Sequence, residues 1–400
     1  MADRTKRSGR PASNDIVKKG AAVLNRHSDI GHRPHESSLP PLPKIDWQSI
    51  DQEPPTHVDI HYHGSDKALP KADIVIITWT SAEWSAFDHV FLNSDCSRSE
   101  SDYRWEKHWH LYSRAAPSKE KQRKEHADTP LWGYYRMVRI KTASGAEKDV
   151  LLFKSDTHLA HWPWIDGLVD MLRHIIEEAR PDRLYSIGTA GGPTLKENLG
   201  DAAITNAGHL RLKEKENKHV DYNHRTFTCK AWFPTLGLLP AVEKHLLFRL
   251  SEIVTHKELE TLLQALHQKV SGSEKFGLKD LVNAPLDPAN LKMPRGLDKK
   301  DVPLLSTDYY FIATGDDAAQ FSVLEMDDAV IAHYAGEQGV DYAFVRNISD
   351  PLVPDKAASG KRIDDNVRQE WSSLIYQTFG LYTSFNGALV AWSTIAGDGG

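Results

Sequence analysis

The chain has 400 residues, of which 40% are hydrophobic and 26% are charged, which is an ordinary globular composition. The formal net charge of −6 argues against a protein that coats nucleic acid, because such proteins need a dominant basic field. Cys96 and Cys229 are the only cysteines. This excludes a disulfide framework and a thiolate zinc site, and it suits the reducing cytoplasm.

Two segments near the ends of the chain have an unusual composition. Residues 1–70 are polar and broken by prolines, which predicts an extended and partly disordered arm. Residues 371–396 carry no charge, but they contain Ser, Thr, Gln and Asn throughout, and such side chains would be unpaired in lipid. We therefore expect a buried C-terminal helix and no membrane partner.

The first strong element lies at residues 72–78, ADIVIIT, a continuous β-branched run of the kind buried in a parallel sheet. It leads directly into a helix-like segment at 81–92. Residues 93–130 are rich in charged and aromatic side chains, which predicts a long surface excursion.

Strands and helices alternate through the rest of the chain. Strands are predicted at 134–142, 149–154, 183–188, 202–205, 309–313 and 341–348. Helices are predicted at 164–179 and 321–336, and a helical pair lies within 239–300, which we expect to be an inserted lobe. This alternation predicts one three-layer α/β domain over residues 71–400, built on a mainly parallel sheet.

In such a sheet, ligands bind at the carboxyl ends of the strands, so the residues after each strand are informative. Glu83 follows the first strand. It suits equally a cleft-facing carboxylate and a carboxylate favoured by the dipole at a helix N-terminus. The sequence GTAGG at 188–192 allows backbone amides to approach a ligand closely. It matches neither a dinucleotide fingerprint nor a P-loop.

The later strands deliver more polar groups. Thr314 follows the strand predicted at 309–313, the sequence EMDDA begins at Glu325, and the strand at 341–348 ends in Ser349 and Asp350. Three strand ends thus bring carboxylates to one edge of the sheet: Glu83, Asp327 and Asp350.

The order of these motifs resembles the nucleoside phosphorylase/nucleosidase superfamily, and most closely its methylthioadenosine/S-adenosylhomocysteine nucleosidase branch. The matching motifs are a Glu five residues after the first strand, IGTAGG with LGD, ATGD, EMDDAVIA and VRNISD. Residues 1–70, 93–130 and 239–300 have no counterpart in the family pattern. The resemblance implies the three-layer fold of that superfamily and a homo-oligomer.

The resemblance also implies roles for single residues. Asp350 matches the acid that protonates purine N7, and Glu83 matches the acidic residue that orients and deprotonates the attacking water. Asp327 matches the family Glu that holds the ribose hydroxyls, and Met326 matches the residue that packs on the sugar. Thr189 lies where a small hydroxyl residue helps hold the nucleophile.

One departure from the family concerns Asp327, which is one carbon shorter than the usual Glu. The sugar then sits deeper, or Glu325 or Asp328 assists, or the substrate differs. Further substrate contacts are expected from residues beside the matched ones: Ala190, Gly191, Thr314, Glu325 and Ser349.

Two histidine pairs, His108/His110 and His158/His161, have spacings that could bind a metal. Neither pair has the acidic residue of a known metal signature, and the resemblance implies no metal or cofactor. His158 and His161 follow the strand predicted at 149–154. We expect them to contact the substrate, with a cationic contact to a 5′-phosphate as one possibility.

The expected activity is hydrolysis of the N-glycosidic bond of a purine nucleoside or nucleotide, with water as nucleophile. Phosphorylases that resemble this fold carry an Arg three residues before the hydroxyl residue of the glycine-rich turn, and this chain has Ser186 there. The loop at 78–82 also lacks Arg and Lys. The alternatives are a phosphorylase and a non-catalytic nucleotide-binding sensor.

Overall fold

The computed structural model describes residues 39–61, 64, 66–93, 109–116, 132–160, 162–246, 250–282, 287, 296–298, 302–313 and 317–398. Two predicted substrate contacts, His161 and Thr314, lie outside the described residues. So do most of residues 1–70 and 93–130, including His108.

The described residues form a 13-stranded mixed sheet with helices on both faces. The strands are β1 (Thr56–His57), β2 (Ile74–Thr78), β3 (His110–Tyr112), β4 (Gly133–Lys141), β5 (Glu147–Ser155), β6 (Arg183–Gly191), β7 (Ala202–Thr205), β8 (Ala207–Arg211), β9 (Thr226–Thr228), β10 (Gly296–Asp298), β11 (Leu304–Thr307), β12 (Leu324–Glu325) and β13 (Asp341–Asp350). The helices are α1 (Ser81–Phe87), α2 (Trp164–Ala179), α3 (Leu239–Leu246), α4 (Leu250–Ile253), α5 (His256–Lys269), α6 (Leu278–Leu281), α7 (Asp328–Glu337) and α8 (Asp365–Ala396).

The centre of the sheet is parallel. Strand β2 pairs in parallel with β5 on one side and with β6 on the other, and β6 pairs in parallel with β13. Strands β4 and β7 then add antiparallel neighbours. The α/β class and the mainly parallel core predicted from the sequence are confirmed. The carboxyl ends of β2, β5, β6 and β13 consequently meet at one edge.

Side chains of β2 alternate between two apolar clusters, one on each face of the sheet. Val75 and Ile77 pack with residues of α2 and α7, while Ile74 and Ile76 pack with residues of α1 and α8. All four are buried, and each contributes about 1.5–3 kcal/mol relative to an exposed side chain. A strand buried on both faces explains why this run is continuously apolar.

Two predicted elements differ from the structure. The predicted strand at 309–313 is irregular backbone. The strand of this region is β11, which ends at Thr307, two residues before the predicted strand begins. The apolar character of the segment reflects a cavity wall, because Tyr309, Tyr310 and Phe311 line the cavity described below. The helix predicted at 321–336 begins only at Asp328, because Leu324 pairs with Gly191 in the sheet.

The charge-free segment 371–396 lies within helix α8, which packs on β6, β13 and α1. Its polar side chains have partners inside the protein: Asn386 Nδ2 donates to the carbonyl of Gly200 at 3.0 Å, and Thr383 Oγ1 accepts from Asn347 Nδ2 at 3.0 Å. In the part of the chain that the structure describes, no helix combines the length and the apolarity that a bilayer crossing requires.

The segment predicted as an inserted helical lobe contributes helices α3 to α6. Helices α3 and α5 contact the long helix α8, and Leu259 and Leu266 of α5 share an apolar cluster with Trp371 and Phe379. The segment thereby packs against the main domain close to the edge where the parallel strands end. Its status as an insertion stays a prediction.

Candidate active site

A cavity of about 470 Å³ opens at the carboxyl ends of β2, β6 and β13. It collects every predicted site residue that the structure describes: Glu83, His158, Thr189, Ala190, Gly191, Glu325, Met326, Asp327, Ser349 and Asp350. These residues are separated by as much as 267 positions in the sequence (83 to 350), and only the strand topology brings them together.

Glu83 both caps helix α1 and lines the cavity. Thr80 is the N-cap, and Glu83 completes a capping box by accepting from the Thr80 amide with Oε2 at 2.8 Å. The same oxygen accepts from the Trp79 amide at 2.9 Å and from Thr78 Oγ1 at 3.2 Å. Its other oxygen, Oε1, accepts from the amide and the hydroxyl of Thr189, both at 2.7 Å. Both interpretations of Glu83 drawn from the sequence therefore hold at once.

Arg346 is a residue of this site that the sequence interpretation missed. Its side chain is 3% exposed and lines the cavity from the middle of β13. Nε donates to Asp328 Oδ2 at 2.7 Å, and Nη2 donates to Ser186 Oγ at 2.9 Å and to Asp328 Oδ1. Nη2 also lies 3.4 Å from Glu325 Oε2. A charge inside an otherwise apolar strand was the available signal, since a buried guanidinium requires partners.

This geometry separates Glu325 from Asp328, and assistance to Asp327 by one or the other was among the alternatives that the sequence left open. Glu325 lines the cavity, whereas the Asp328 carboxylate is fully buried against Arg346. Burial alone lowers the pKa of Arg346, but the Asp328 and Glu325 carboxylates outweigh it and raise that pKa overall. The guanidinium is therefore permanently charged beneath the cavity.

Gly188 allows two charged groups to approach the same point. A Cβ at this position would lie 2.3 Å from Arg346 Nη1 and 2.8 Å from Glu83 Oε1. Any side chain there would displace the guanidinium or the carboxylate. The glycine of the GTAGG turn thus makes room for protein groups as well as for a ligand.

Asp327 and His158 form a pair at the opposite side of the cavity. Asp327 Oδ1 accepts from the Leu159 amide at 2.8 Å, and Oδ2 lies 3.3 Å from His158 Nε2. His158 Nδ1 accepts from the Ala160 amide at 3.1 Å, so Nε2 carries the hydrogen and donates to Asp327. Burial lowers the pKa of His158 to about 4 and raises that of Asp327 to about 8. An uncharged His158 argues against the cationic contact to a 5′-phosphate.

Glu325 lies between this pair and Arg346. Its Oε2 accepts from the amides of Asp327 and Asp328 at 2.7 and 3.1 Å, and its Oε1 accepts from Ser306 Oγ. Burial, and next the Asp328 carboxylate, raise its pKa. These contacts fix the backbone at the start of α7, and they position the Asp327 carboxylate.

Asp350 ends β13 and faces the glycine-rich turn of β6. A Cβ on Gly191 would lie 3.3 Å from Asp350 Oδ2, so the glycine leaves this oxygen open to the cavity. Ser349 Oγ donates to Asp350 Oδ1 at 2.7 Å. Loss of solvation raises the pKa of Asp350 to about 6, and the Ser349 hydrogen bond opposes that rise. Asp350 is thus a carboxyl group that keeps its proton to a higher pH than an ordinary aspartate does.

Aromatic rings form much of the cavity wall: Trp79, Tyr309, Tyr310, Phe311 and Tyr376. Two cations contact rings of the irregular loop. Lys213 Nζ lies 3.9 Å from the centre of the Tyr309 ring, and the Arg211 guanidinium lies 5.4 Å from the centre of the Phe311 ring. Flat apolar rings beside a proton donor suit a stacked heterocyclic base.

The outer rim of the cavity comes from α8 and the end of α5. Its members are mostly polar: Lys269, Val270, Ser271, Asn366, Gln369, Glu370, Ser372 and Ser373. Lys269 Nζ and Glu370 Oε1 form an ion pair at 2.8 Å. Residues 269–271 belong to the segment without a counterpart in the family pattern, and this segment therefore reaches the site.

Among the described residues, no group of three or more His, Cys, Asp and Glu side chains is placed to hold a metal ion. Of the two histidine pairs, His108 and His161 lie outside the described residues. His110 Nε2 lies 3.4 Å from Arg136 Nη1, and His158 bonds Asp327.

The chain was compared with known proteins. No protein-family model and no curated protein matches it. Among solved structures it is similar to 5′-methylthioadenosine/S-adenosylhomocysteine nucleosidase from Neisseria meningitidis, with 12% identity, a TM-score of 0.39, and coverage of 81% of this chain and 98% of that one. It is also similar to futalosine hydrolase of Helicobacter pylori, with 10% identity, a TM-score of 0.40, and coverage of 80% and 96%.

Both structures are of the enzyme group that the sequence motifs resemble. At this identity and TM-score, the likeness bears on neither the substrate nor the reaction.

Proposed function

We propose that the chain hydrolyses the N-glycosidic bond of a purine nucleoside or nucleotide and releases the free base. The observation that carries this proposal is the pairing of two carboxyl groups in one cavity. Glu83 accepts five hydrogen bonds, whereas Asp350 accepts one from Ser349 among the described residues and has a pKa raised to about 6. Two carboxyl groups in contrasting environments suit a base and an acid.

Each group then has a chemical task. Asp350 donates its proton to the base nitrogen as the electron pair of the C–N bond leaves with the base. The ribose develops oxocarbenium character, which nearby carboxylates stabilise. Asp327 binds the ribose hydroxyls beside Met326, and the rings of Tyr310 and Phe311 stack on the base. Glu83 is the base that takes up a proton from the attacking water.

The charge of Arg346 bears on whether the nucleophile is water or phosphate. The sequence places no cation at Ser186, yet Arg346 reaches Ser186 from the neighbouring strand, so the site does contain a guanidinium. Its charge is opposed by Asp328, Glu325 and Glu83. A dianionic phosphate would have to compete with the Asp328 carboxylate, which accepts from both Nε and Nη2 of Arg346, whereas a neutral water would not.

Phosphorolysis is the second candidate, and Arg346 is the observation that favours it, because guanidinium groups bind phosphate well. The test measures base release by chromatography in phosphate-free buffer and again with millimolar phosphate, with an assay for ribose 1-phosphate. Hydrolysis predicts equal rates and free ribose. Strict dependence on phosphate, with ribose 1-phosphate as product, would establish a phosphorylase.

The same assay across adenine and guanine nucleosides and nucleotides addresses the third alternative, a non-catalytic sensor. Tight binding without base release from any of these compounds would contradict the proposed enzyme. The homo-oligomer and the cytoplasmic location expected from the sequence stay predictions.

A further inference from the structure

The hydrogen bonds of Glu83 limit what this carboxylate can do. An ionised carboxylate offers about four lone-pair positions, and Glu83 already accepts from five donors. Its side chain is almost fully buried at 3% exposure. A water molecule in the cavity therefore cannot reach Glu83 without displacing one of these donors.

Only the hydroxyl donors among the five can pass a proton on to Glu83 during the reaction. Three are backbone amides, and two are the hydroxyls of Thr78 and Thr189. Thr189 lines the cavity and is partly exposed, whereas Thr78 is fully buried and does not line it. While the Thr189 hydroxyl donates to Glu83 Oε1 at 2.7 Å, its oxygen has two lone pairs that accept hydrogen bonds. The Tyr376 hydroxyl, a hydrogen-bond partner of Thr189, can occupy one of them, which leaves the other for a water hydrogen.

We propose that the Thr189 hydroxyl relays the proton of the attacking water to Glu83. The inference rests on the proposed hydrolysis and divides the proton transfer from water to Glu83 into two transfers. As the water oxygen forms its bond to the anomeric carbon, one water hydrogen moves to Thr189 Oγ1, and the original Thr189 hydrogen moves to Glu83 Oε1. The C–N electron pair leaves with the base, which takes its proton from Asp350. Exchange with solvent then returns Glu83 and Asp350 to their starting states.

The relay gives Thr189 a role in proton transfer, whereas the other donors only hold the Glu83 carboxylate in place. Thr78 provides a matched comparison, because it also donates a hydroxyl to Glu83 but lies away from the cavity. Both substitutions to Val keep the β-branched shape that suits a strand, and each removes one hydrogen bond from the same carboxylate.

The experiment is a proton inventory on a riboside whose leaving group needs no protonation, so that the transfer from Asp350 drops out. Its single-turnover cleavage is measured in mixtures of H₂O and D₂O. Two protons in flight give a curved dependence of the rate on deuterium content, and one proton gives a straight line. We expect curved plots for the wild type, T189S and T78V. We expect T189V to be slower by about a hundredfold and to give a straight line, because water then contacts Glu83 directly.

The contrary outcomes are distinct. A wild-type enzyme that cleaves this riboside with a straight line or with no isotope effect would refute the relay and leave the hydrolysis intact. Equal losses in T78V and T189V with curved plots in both would reduce Thr189 to a stabilising donor. No base release by the wild type would refute the proposed function, and the relay with it.

Discussion

Glu83 and Asp350 lie in the same cavity and experience opposite local chemistry. Glu83 sits where a strand turns into a helix, so the amides of Trp79 and Thr80 converge on its carboxylate. Asp350 sits at the end of a strand beside a glycine, and among the described residues the donor to its side chain is the Ser349 hydroxyl. Loss of solvation then dominates and raises the pKa of Asp350 to about 6.

Under the proposed mechanism, this difference in surroundings is what would let two carboxyl groups of one cavity serve as acid and base. Hydrogen-bond donors favour the ionised form of a carboxyl group, and loss of solvation favours its protonated form. The predictions below separate these two effects, beginning with the largest.

Glu83→Gln should reduce turnover by on the order of a hundredfold or more and should also lower the melting temperature. The amide NH₂ of Gln would face at least one donor that now bonds Glu83, and an unpaired buried donor costs about 1–3 kcal/mol. Single-turnover base release and thermal unfolding measure the two effects. Wild-type activity in this variant would remove Glu83 from the mechanism.

Glu178→Gln is the matched control for that variant. Glu178 accepts from the Leu69 amide at 2.7 Å, from the Tyr112 hydroxyl at 2.9 Å and from Arg114 Nη1 at 3.1 Å, yet it does not line the cavity. We expect it to lose thermal stability and to keep its rate of base release. A parallel loss of activity would show that Glu83→Gln acts through stability alone.

Asp350→Asn should also slow base release by on the order of a hundredfold or more, because one proton donor is lost. Unlike Glu83→Gln, it should leave the fold intact, since Asn still accepts from the Ser349 hydroxyl. A substrate analogue with a leaving group that needs no protonation would recover most of the rate. Equal losses on both substrates would contradict the assignment of Asp350 as the acid.

The pH dependence follows from the state of Asp350. The acid must be protonated, and its pKa is raised to about 6, so kcat/KM should be level below pH 6 and fall tenfold per pH unit above it. The fall should be absent from the residual activity of Asp350→Asn. Measurement between pH 5.5 and 7.5 decides this, and a rate that rises with pH in that window would reverse the proposed roles.

Much of this site follows from the sequence because its residues lie in short motifs directly after strands. Glu83, Thr189 and Asp350 were found in this way, since the end of a parallel strand fixes the place of the next few residues. The hydrogen-bond pattern that separates Glu83 from Asp350 was not predictable to the same depth. It depends on which amides point at each carboxylate.

Arg346 and Tyr376 show where the sequence interpretation fails. Arg346 lies in the middle of a strand, and Tyr376 lies within a long helix, so neither follows a strand end. Both reach the cavity through tertiary packing alone. The prediction of a strand at 309–313 was wrong for a related reason, because side chains that line a cavity give the same apolar pattern as a buried strand.

The smallest expected effect concerns stability. The pKa of Asp350 is raised on folding, so the native state binds a proton that the unfolded state has lost, and stability declines as pH rises from about 4 through about 6. Asp350→Asn removes this cost. We therefore expect its melting temperature to exceed that of the wild type by about 2–4 °C at pH 8, with the gain shrinking toward pH 4. Asp308→Asn is the contrast, because burial raises the pKa of Asp308 too, but Asp308 also accepts from the amides of Lys213 and Glu214 and from Asn217 Nδ2, and an Asn amide group would break some of these bonds. It should lose stability at both pH values, and a gain there equal to that of Asp350→Asn would show that charge removal alone, irrespective of hydrogen bonding, sets the result.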